Sequence, residues 1–333
     1  MSWNLIGHEW AEQLLAQHIC HGDLRHAYLI TGSPGTGRRS LAIELAKAVN
    51  CLNPPAPGDF CDECRACKQL SKLQQPDLSI VESESEGAMI KVDQVRQLQH
   101  SLSLAPYEAK YRVALLRNFQ LANASAQNAL LKTLEEAPQK VILILTADSA
   151  ENLLPTIASR CEILRLRPLP IEALERALVE RWSFTEQDAN LYAHLSGGRP
   201  GLALGLSADK AALERRAHWL DDLVHLFDMN LRQRFVYSET INRVKDLLRM
   251  ELQTWMTYMR DLYLVRSGSD SPLTNIDRRS ELEQISASLT QSTILDTISA
   301  MQNALEAIEL NANLRLATDV LMLEIPVANS RHD

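Results

Sequence analysis

Two clusters of residues in this 333-residue chain have types and spacings suited to chemistry. The first is Gly32-Ser33-Pro34-Gly35-Thr36-Gly37-Arg38-Arg39-Ser40, which follows the apolar run HAYLIT and precedes the helical pattern LAIELAKAV. A strand, a glycine-rich loop and a helix N-terminus in that order make an anion cradle, because backbone N–H groups and the helix dipole converge on one point. A phosphate loop that drives hydrolysis carries Lys and then Ser or Thr after its last glycine. The Lys reaches the terminal phosphates and the hydroxyl ligates magnesium. Arg38 and Arg39 occupy those positions here. Ser40 comes one residue late, about 100° around the helix from where the hydroxyl is needed. The second magnesium element should be an acidic pair at the end of an apolar strand, and the strand RVALL ends instead in Arg117-Asn118. Arginine offers only donors and asparagine carries no negative charge. Both protein ligands of the same ion are missing, which predicts no ATP hydrolysis at this loop. Two readings stay open: a cradle that holds ATP or another anion without turning it over, and a glycine turn kept for folding.

The second cluster is Cys51, Cys61, Cys64 and Cys67. Two C-x2-C steps are short enough to reach one ion, and a longer proline-containing arm swings Cys51 in. Four thiolates predict a tetrahedral zinc site, closed and therefore structural. A redox CxxC pair is the rival reading, but four neighbouring cysteines in a reducing compartment favour metal over disulfide. Cys20 and Cys161 lie too far away in sequence to be predicted ligands, and Cys20 reads as a small buried residue.

The elements that must position these clusters follow from periodicity. Five apolar runs, HAYLIT (26–31), LSIVE (78–82), RVALLR (112–117), VILILT (141–146) and EILRLR (162–167), alternate with helical patterns. That alternation predicts an α/β domain over 1–167 with a mostly parallel sheet and the cysteine module at 51–67. Pro168 and Pro170 close it, and a small group of helices over 168–208 fits a lid. Residues 209–333 place apolar side chains at helical spacing throughout, apart from a polar connection at 266–280, and predict an all-α bundle. Trp219, Trp255, Tyr258 and Tyr263 lie among Leu and Met at that spacing, so core packing or subunit contact explains them better than base stacking.

Composition bounds what the chain does. No run approaches the ~20 apolar residues of a membrane span, and the start MSWNLIGHEWAEQ lacks the basic and apolar stretches of a signal peptide. The expected location is the cytoplasm, with no membrane partner. A net charge of -8 argues against strong autonomous DNA binding through a basic face.

The broken phosphate loop, the cysteine module after its helix, the segment AQNALLKTLEEAP (126–138) and LPTIASRC (154–161) together resemble bacterial clamp-loader AAA+ subunits. The likeness extends to NANLRLA (311–317), which is similar to the start of the family's last collar helix. The resemblance implies an AAA+ domain, a helical lid and an all-α collar that oligomerises. It further implies a pentameric ring with δ and γ/τ subunits, which opens the β sliding clamp and places it on primed DNA. In that family ATP lies between subunits and the arginine of SRC reaches the γ-phosphate of a neighbour, which assigns Arg160 as an arginine finger acting in trans. Pairing with a local carboxylate such as Glu162 is the plainer role for Arg160. Thr146 matches the polar first sensor or else caps its strand. Arg199 lies near the second sensor region or else simply starts a helix. Lys132, Glu135 and Glu136 suggest subunit packing, with an ion-paired solvated face as the alternative. The same residues count against two other functions. A γ/τ-type motor needs the missing Lys, hydroxyl and acidic groups, and an adaptor outside replication has no use for SRC.

Overall fold

A computed structural model describes residues 3–85, 88–241 and 244–327. The chain forms two compact units, Met1–Ala177 with Gly198–Leu202, and Leu178–Gly197 with Ala203–Asp333. The segment 168–208 contributes to both.

In the first unit the five apolar runs become the strands β1 (Ala27–Thr31), β2 (Leu78–Val81), β3 (Arg112–Leu116), β4 (Val141–Ala147) and β5 (Glu162–Arg165). They form one sheet in the order β2-β3-β4-β1-β5, every pair parallel, with Tyr28 beside Ile144 and Val113 beside Ile142. Parallel sheets are covered on both faces, which is why these strands read as continuous apolar runs rather than alternating ones. Successive side chains still point to opposite faces. Tyr28, Ile30, Leu115 and Ile144 pack with Leu41 and Leu45 of the helix Arg38–Asn50 and Leu15 of the helix Glu9–His21. Leu29, Leu116, Leu143 and Leu145 pack on the other face with Val95 and Leu98 of the helix Val92–Leu102 and Leu130 and Leu134 of the helix Ala124–Glu135.

A buried carboxylate ties the approach to β3 in place. Asp77 accepts the backbone N–H groups of Tyr107, Glu108 and Ala109 at 2.7, 2.9 and 2.9 Å, and Arg112 Nη2 at 3.0 Å. Burial by itself would raise the Asp77 pKa, but these donors overcome it and hold the carboxyl below its ordinary value.

Cys20 departs from expectation: it is exposed rather than buried. Ala11, Leu15 and Ala16 mark the inward face of its helix. Ile19 packs against the core, and Cys20, one residue or about 100° further round, turns to water.

The second unit is helical, as the spacing predicts, with Lys210–Asp228, Leu231–Thr240, Lys245–Ser267, Gln291–Glu309 and Leu314–Glu324 as its main helices. Trp219, Trp255 and Tyr258 are buried in its core with Leu252, Met301 and Met322, and Tyr263 packs against it partly buried. Trp255 Nε1 donates to Trp219 O across 2.6 Å and Tyr258 Oη to Glu281 across 2.7 Å. Their polar ends are thus satisfied inside the bundle. Arg234, 2% exposed, donates to the carbonyls of Leu226, Met322, Ile325 and Pro326. These carbonyls lie at or just past the C-terminal ends of the helices Lys210–Asp228 and Leu314–Glu324, where intrahelical donors run out; Leu226 O also accepts the Met229 N–H. Among the described residues no helix is long and apolar enough to cross a membrane.

Candidate functional site

The glycine loop leaves the C-terminal end of β1, where Gly32 N–H donates to the carbonyls of Ala147 and Asp148 at 3.3 and 3.1 Å. Arg117 and Asn118 follow the C-terminal end of β3, and Thr146 lies near that of β4, the strand between β3 and β1. The sheet therefore gathers the glycine loop, Arg117, Asn118 and Thr146 at one side, the carboxyl ends of the strands where open α/β sheets bind ligands. Gly35 adopts φ +88°, and a side chain there would meet Leu202 N at 2.9 Å. Gly201 N–H donates to Gly35 O across 2.8 Å, so the segment carrying Arg199 is held against the loop, and burial lowers the Arg199 pKa.

The side chains at this edge are occupied by one another. Arg38 Nη1 donates to Asp148 Oδ1 across 2.7 Å and Nη2 to Asn118 Oδ1 across 3.3 Å. Arg117 pairs with Glu82. Thr146, buried, accepts the Asn118 N–H at 2.9 Å. Arg39 and Ser40 point to solvent. Arg117 and Asn118 occupy the two positions after β3, and Arg38 is matched by Asp148, a carboxylate that the sequence alone did not single out. Asp148 had a signal all the same: it follows β4 directly, beside the start of the loop.

The cysteine module is assembled as its spacing predicts. The Sγ atoms of Cys51, Cys61, Cys64 and Cys67 all lie within 4.8 Å of one another. Four thiolates around zinc at ~2.3 Å stand roughly 3.8 Å apart, so the set closes on one ion with small side-chain shifts. Backbone N–H groups of Cys61, Cys64 and Cys67 point at the sulfurs of Cys51, Cys61 and Cys64 at 3.4, 3.3 and 3.5 Å, the donor pattern that stabilises thiolate charge. Cys64 is held down to about 6, burial being outweighed by hydrogen bonds from Cys67 and Leu52, while burial first and neighbouring thiols second raise Cys67. Gly58, at φ +78°, passes so close to the helix Glu9–His21 that a side chain would meet Ala16 O at 2.5 Å. Trp3 Nε1 donates to Gly58 O. This close passage carries the long arm back to Cys61.

Arg160 lies at the other, amino-terminal ends of the strands. It ends the turn before β5, close to Arg25 and His26 before β1 and to Glu135 on the approach to β4, and these residues line one shallow recess. His26 Nε2 meets Leu134 O at 2.9 Å, which joins these approaches. Glu162 pairs distantly with Arg25, at 3.9 Å, and the carboxylate beside Arg160 is Glu135, at 2.7 Å. The local partner expected for Arg160 is therefore replaced by one 25 residues away, because Glu162 already begins β5. Of the KTLEE segment, Glu135 is the residue brought to Arg160.

Known proteins bear on these sites. Residues 7–170 match the family described as DNA polymerase III, delta subunit. The chain is 29% identical over 319 residues to the DNA polymerase III subunit delta' of Bacillus subtilis, covering 93% of this chain and 94% of that protein. It is 35% identical over 227 residues to the same subunit of Pseudomonas aeruginosa, covering 67% of each.

The chain belongs to the DNA polymerase III delta-prime family.

A wider kinship agrees with this. The tau subunit of Bacillus subtilis is 32% identical over 171 residues, covering 51% of this chain and 30% of that protein. The chain is thus a P-loop AAA+ protein of the clamp-loader family of DNA polymerase III, with a helical C-terminal region.

Proposed function

We propose that this chain is the non-hydrolysing delta-prime member of a clamp-loader ring and lends Arg160 to a neighbouring γ/τ subunit's ATP while the ring loads the β sliding clamp onto primed DNA. The observation that carries this is the placement of two groups on one sheet. The chain's own phosphate loop sits at the carboxyl ends of the strands, and Arg160 sits at their amino ends. A strand of five residues separates them by roughly 15 Å. Arg160 is out of reach of its own loop and half-buried at the other ends of the strands, where a second subunit's phosphate can meet it. A guanidinium supplied in trans stabilises charge that develops on the transferred phosphoryl group.

The loop supports the same division of labour. Arg38 is turned onto Asp148 and Asn118, Arg39 stands where magnesium needs a hydroxyl, and Arg117 and Asn118 replace the acidic pair. Thr146 binds Asn118 rather than standing free as a sensor, and Arg199 lies on the segment that Gly201 ties to the loop. We assign zinc to Cys51, Cys61, Cys64 and Cys67 as a structural ion. It would clamp the arm 51–67 onto the first unit and supply no chemistry to ATP. The domain reading that follows is an AAA+ domain over 1–167 with this module, a lid over 168–208 and a collar over 209–333 that joins the ring.

The deciding experiment reconstitutes the chain with δ, γ/τ, β clamp and primed DNA. Arg160→Ala should leave assembly intact and lower DNA-stimulated ATPase, since arginine fingers contribute ~10³-fold or more in favourable cases. An ATPase rate equal to that of the wild-type ring would remove the basis of this function.

A further inference from the structure

Arg160 is not idle in the chain. Its Nη1 donates to Thr156 O across 2.9 Å and approaches Ser159 Oγ at 3.5 Å, and its Nη2 donates to Glu135 Oε1 across 2.7 Å. Both terminal nitrogens of the fork that would grip a phosphate are turned back on the chain's own atoms.

The identity of the partner needs a reason that helix stability does not provide. Glu135 is the last residue of the helix Ala124–Glu135. The C-terminal end of a helix carries partial negative charge and favours cations, so a carboxylate there opposes the dipole. Glu136 follows and adds to the same repulsion. What Glu135 has instead is Arg160. The pair is also open to water, its side chains 35% and 51% exposed, so solvent screens it and it can open readily. A phosphate group brings more negative charge and more acceptor oxygens than one carboxylate, and displaces it.

We propose that Glu135 is a positioning residue for the arginine finger, a counter-ion that parks Arg160 against its own chain until the phosphates of a neighbouring subunit draw it away. This rests on the reading of Arg160 as a finger and adds a regulation of that site. The parked pose keeps the finger's charge neutralised in the free chain and makes its delivery depend on a bound nucleotide next door.

The test uses the reconstituted ring with primed DNA and sub-saturating ATP, comparing wild type, Glu135→Gln, Arg160→Ala and the double variant. Glutamine keeps the shape of the side chain and removes its charge. Glu135→Gln should raise the ATPase rate about two- to five-fold at low salt, the range that an exposed ion pair can contribute. That ratio should fall toward one as ionic strength rises, because salt screens the pair already. In the Arg160→Ala background the same substitution should change nothing. An unchanged or lower rate with Arg160 present, an equal gain without it, or a gain indifferent to salt overturns the role of Glu135. If Arg160→Ala alone keeps the wild-type rate, the finger assignment itself fails, and that outcome is read from a different pair of rings.

Discussion

Arg38 donates from Nη1 to Asp148 Oδ1 across 2.7 Å, joining the first residue of the phosphate-loop helix to the residue that follows β4. The pair neutralises the cation at the start of the loop's helix, and with Asn118 on the other nitrogen the guanidinium has no fork left for a phosphate.

Removing the charge of Asp148 should therefore strengthen anion binding without restoring hydrolysis. Asp148→Asn is expected to tighten ATP or pyrophosphate binding about three- to ten-fold, the scale of one charge-assisted contact returned to the ligand. Titration calorimetry measures it. A wild-type chain that binds ATP as tightly as the variant, or that shows magnesium-dependent turnover abolished by changing Arg38, would contradict this account of the loop.

Metal analysis of the reduced chain should find about one zinc per molecule, the number a single four-thiolate site takes. Cys67→Ser should lose it and lower the melting temperature, because metal binding is linked to folding of the arm. Carefully reduced protein without zinc would refute the assignment.

A proton count gives the second unit a pH dependence. Tyr237 Oη lies 3.0 Å from Asp222 Oδ2 and 3.1 Å from Glu251 Oε1, and its single proton satisfies one of them. Glu251 supplies the other as a neutral acid. Burial pushes its pKa up to about 7, helped by the charge of Asp222 and opposed by the Tyr237 hydrogen bond. The unfolded carboxyl titrates near ~4.3, so the folded state holds a proton the unfolded state has lost between those values. Stability is fullest below the unfolded pKa and falls as pH rises through about 7, by something on the order of 3–4 kcal/mol in all. Urea midpoints at pH 5 and pH 8 should differ more for wild type than for Glu251→Gln. Equal differences would dismiss the shared proton. Glu44, also raised to about 7 by burial, titrates alike in both proteins and cancels.

Arg234→Met should destabilise the helical unit by ~2 kcal/mol, since it strands buried carbonyls that cost about 1–3 kcal/mol each, partly offset by removing a buried charge. Thermal unfolding reports it, and a melting temperature at or above that of wild type would show that those carbonyls find other donors.

Much of this was legible in the chain itself. Parallel strands buried on both faces must be apolar throughout, so HAYLIT, RVALLR and VILILT announced β1, β3 and β4 to within a residue or two. The glycine loop, the substitutions at 38, 39, 117 and 118, and the spacing of Cys51, Cys61, Cys64 and Cys67 are local patterns whose chemistry depends on residue type and short separation. Periodicity also sufficed to bury Trp219, Trp255 and Tyr258. It did not suffice for Cys20, where one step of about 100° around a helix separates core from solvent.

Pairings across the fold were another matter. Arg38 and Asp148 stand 110 residues apart in sequence, Arg160 and Glu135 stand 25 apart, and Arg117 and Glu82 stand 35 apart. The strand order β2-β3-β4-β1-β5 decides which strand ends become neighbours, and the parallel direction of β1 and β5 puts the phosphate loop and Arg160 at opposite strand ends. Residue types and spacings determined what each segment is able to do. The tertiary structure decided which charges meet, because an ion pair depends on a distance of a few ångströms between chain segments that only the sheet and its crossover helices bring together.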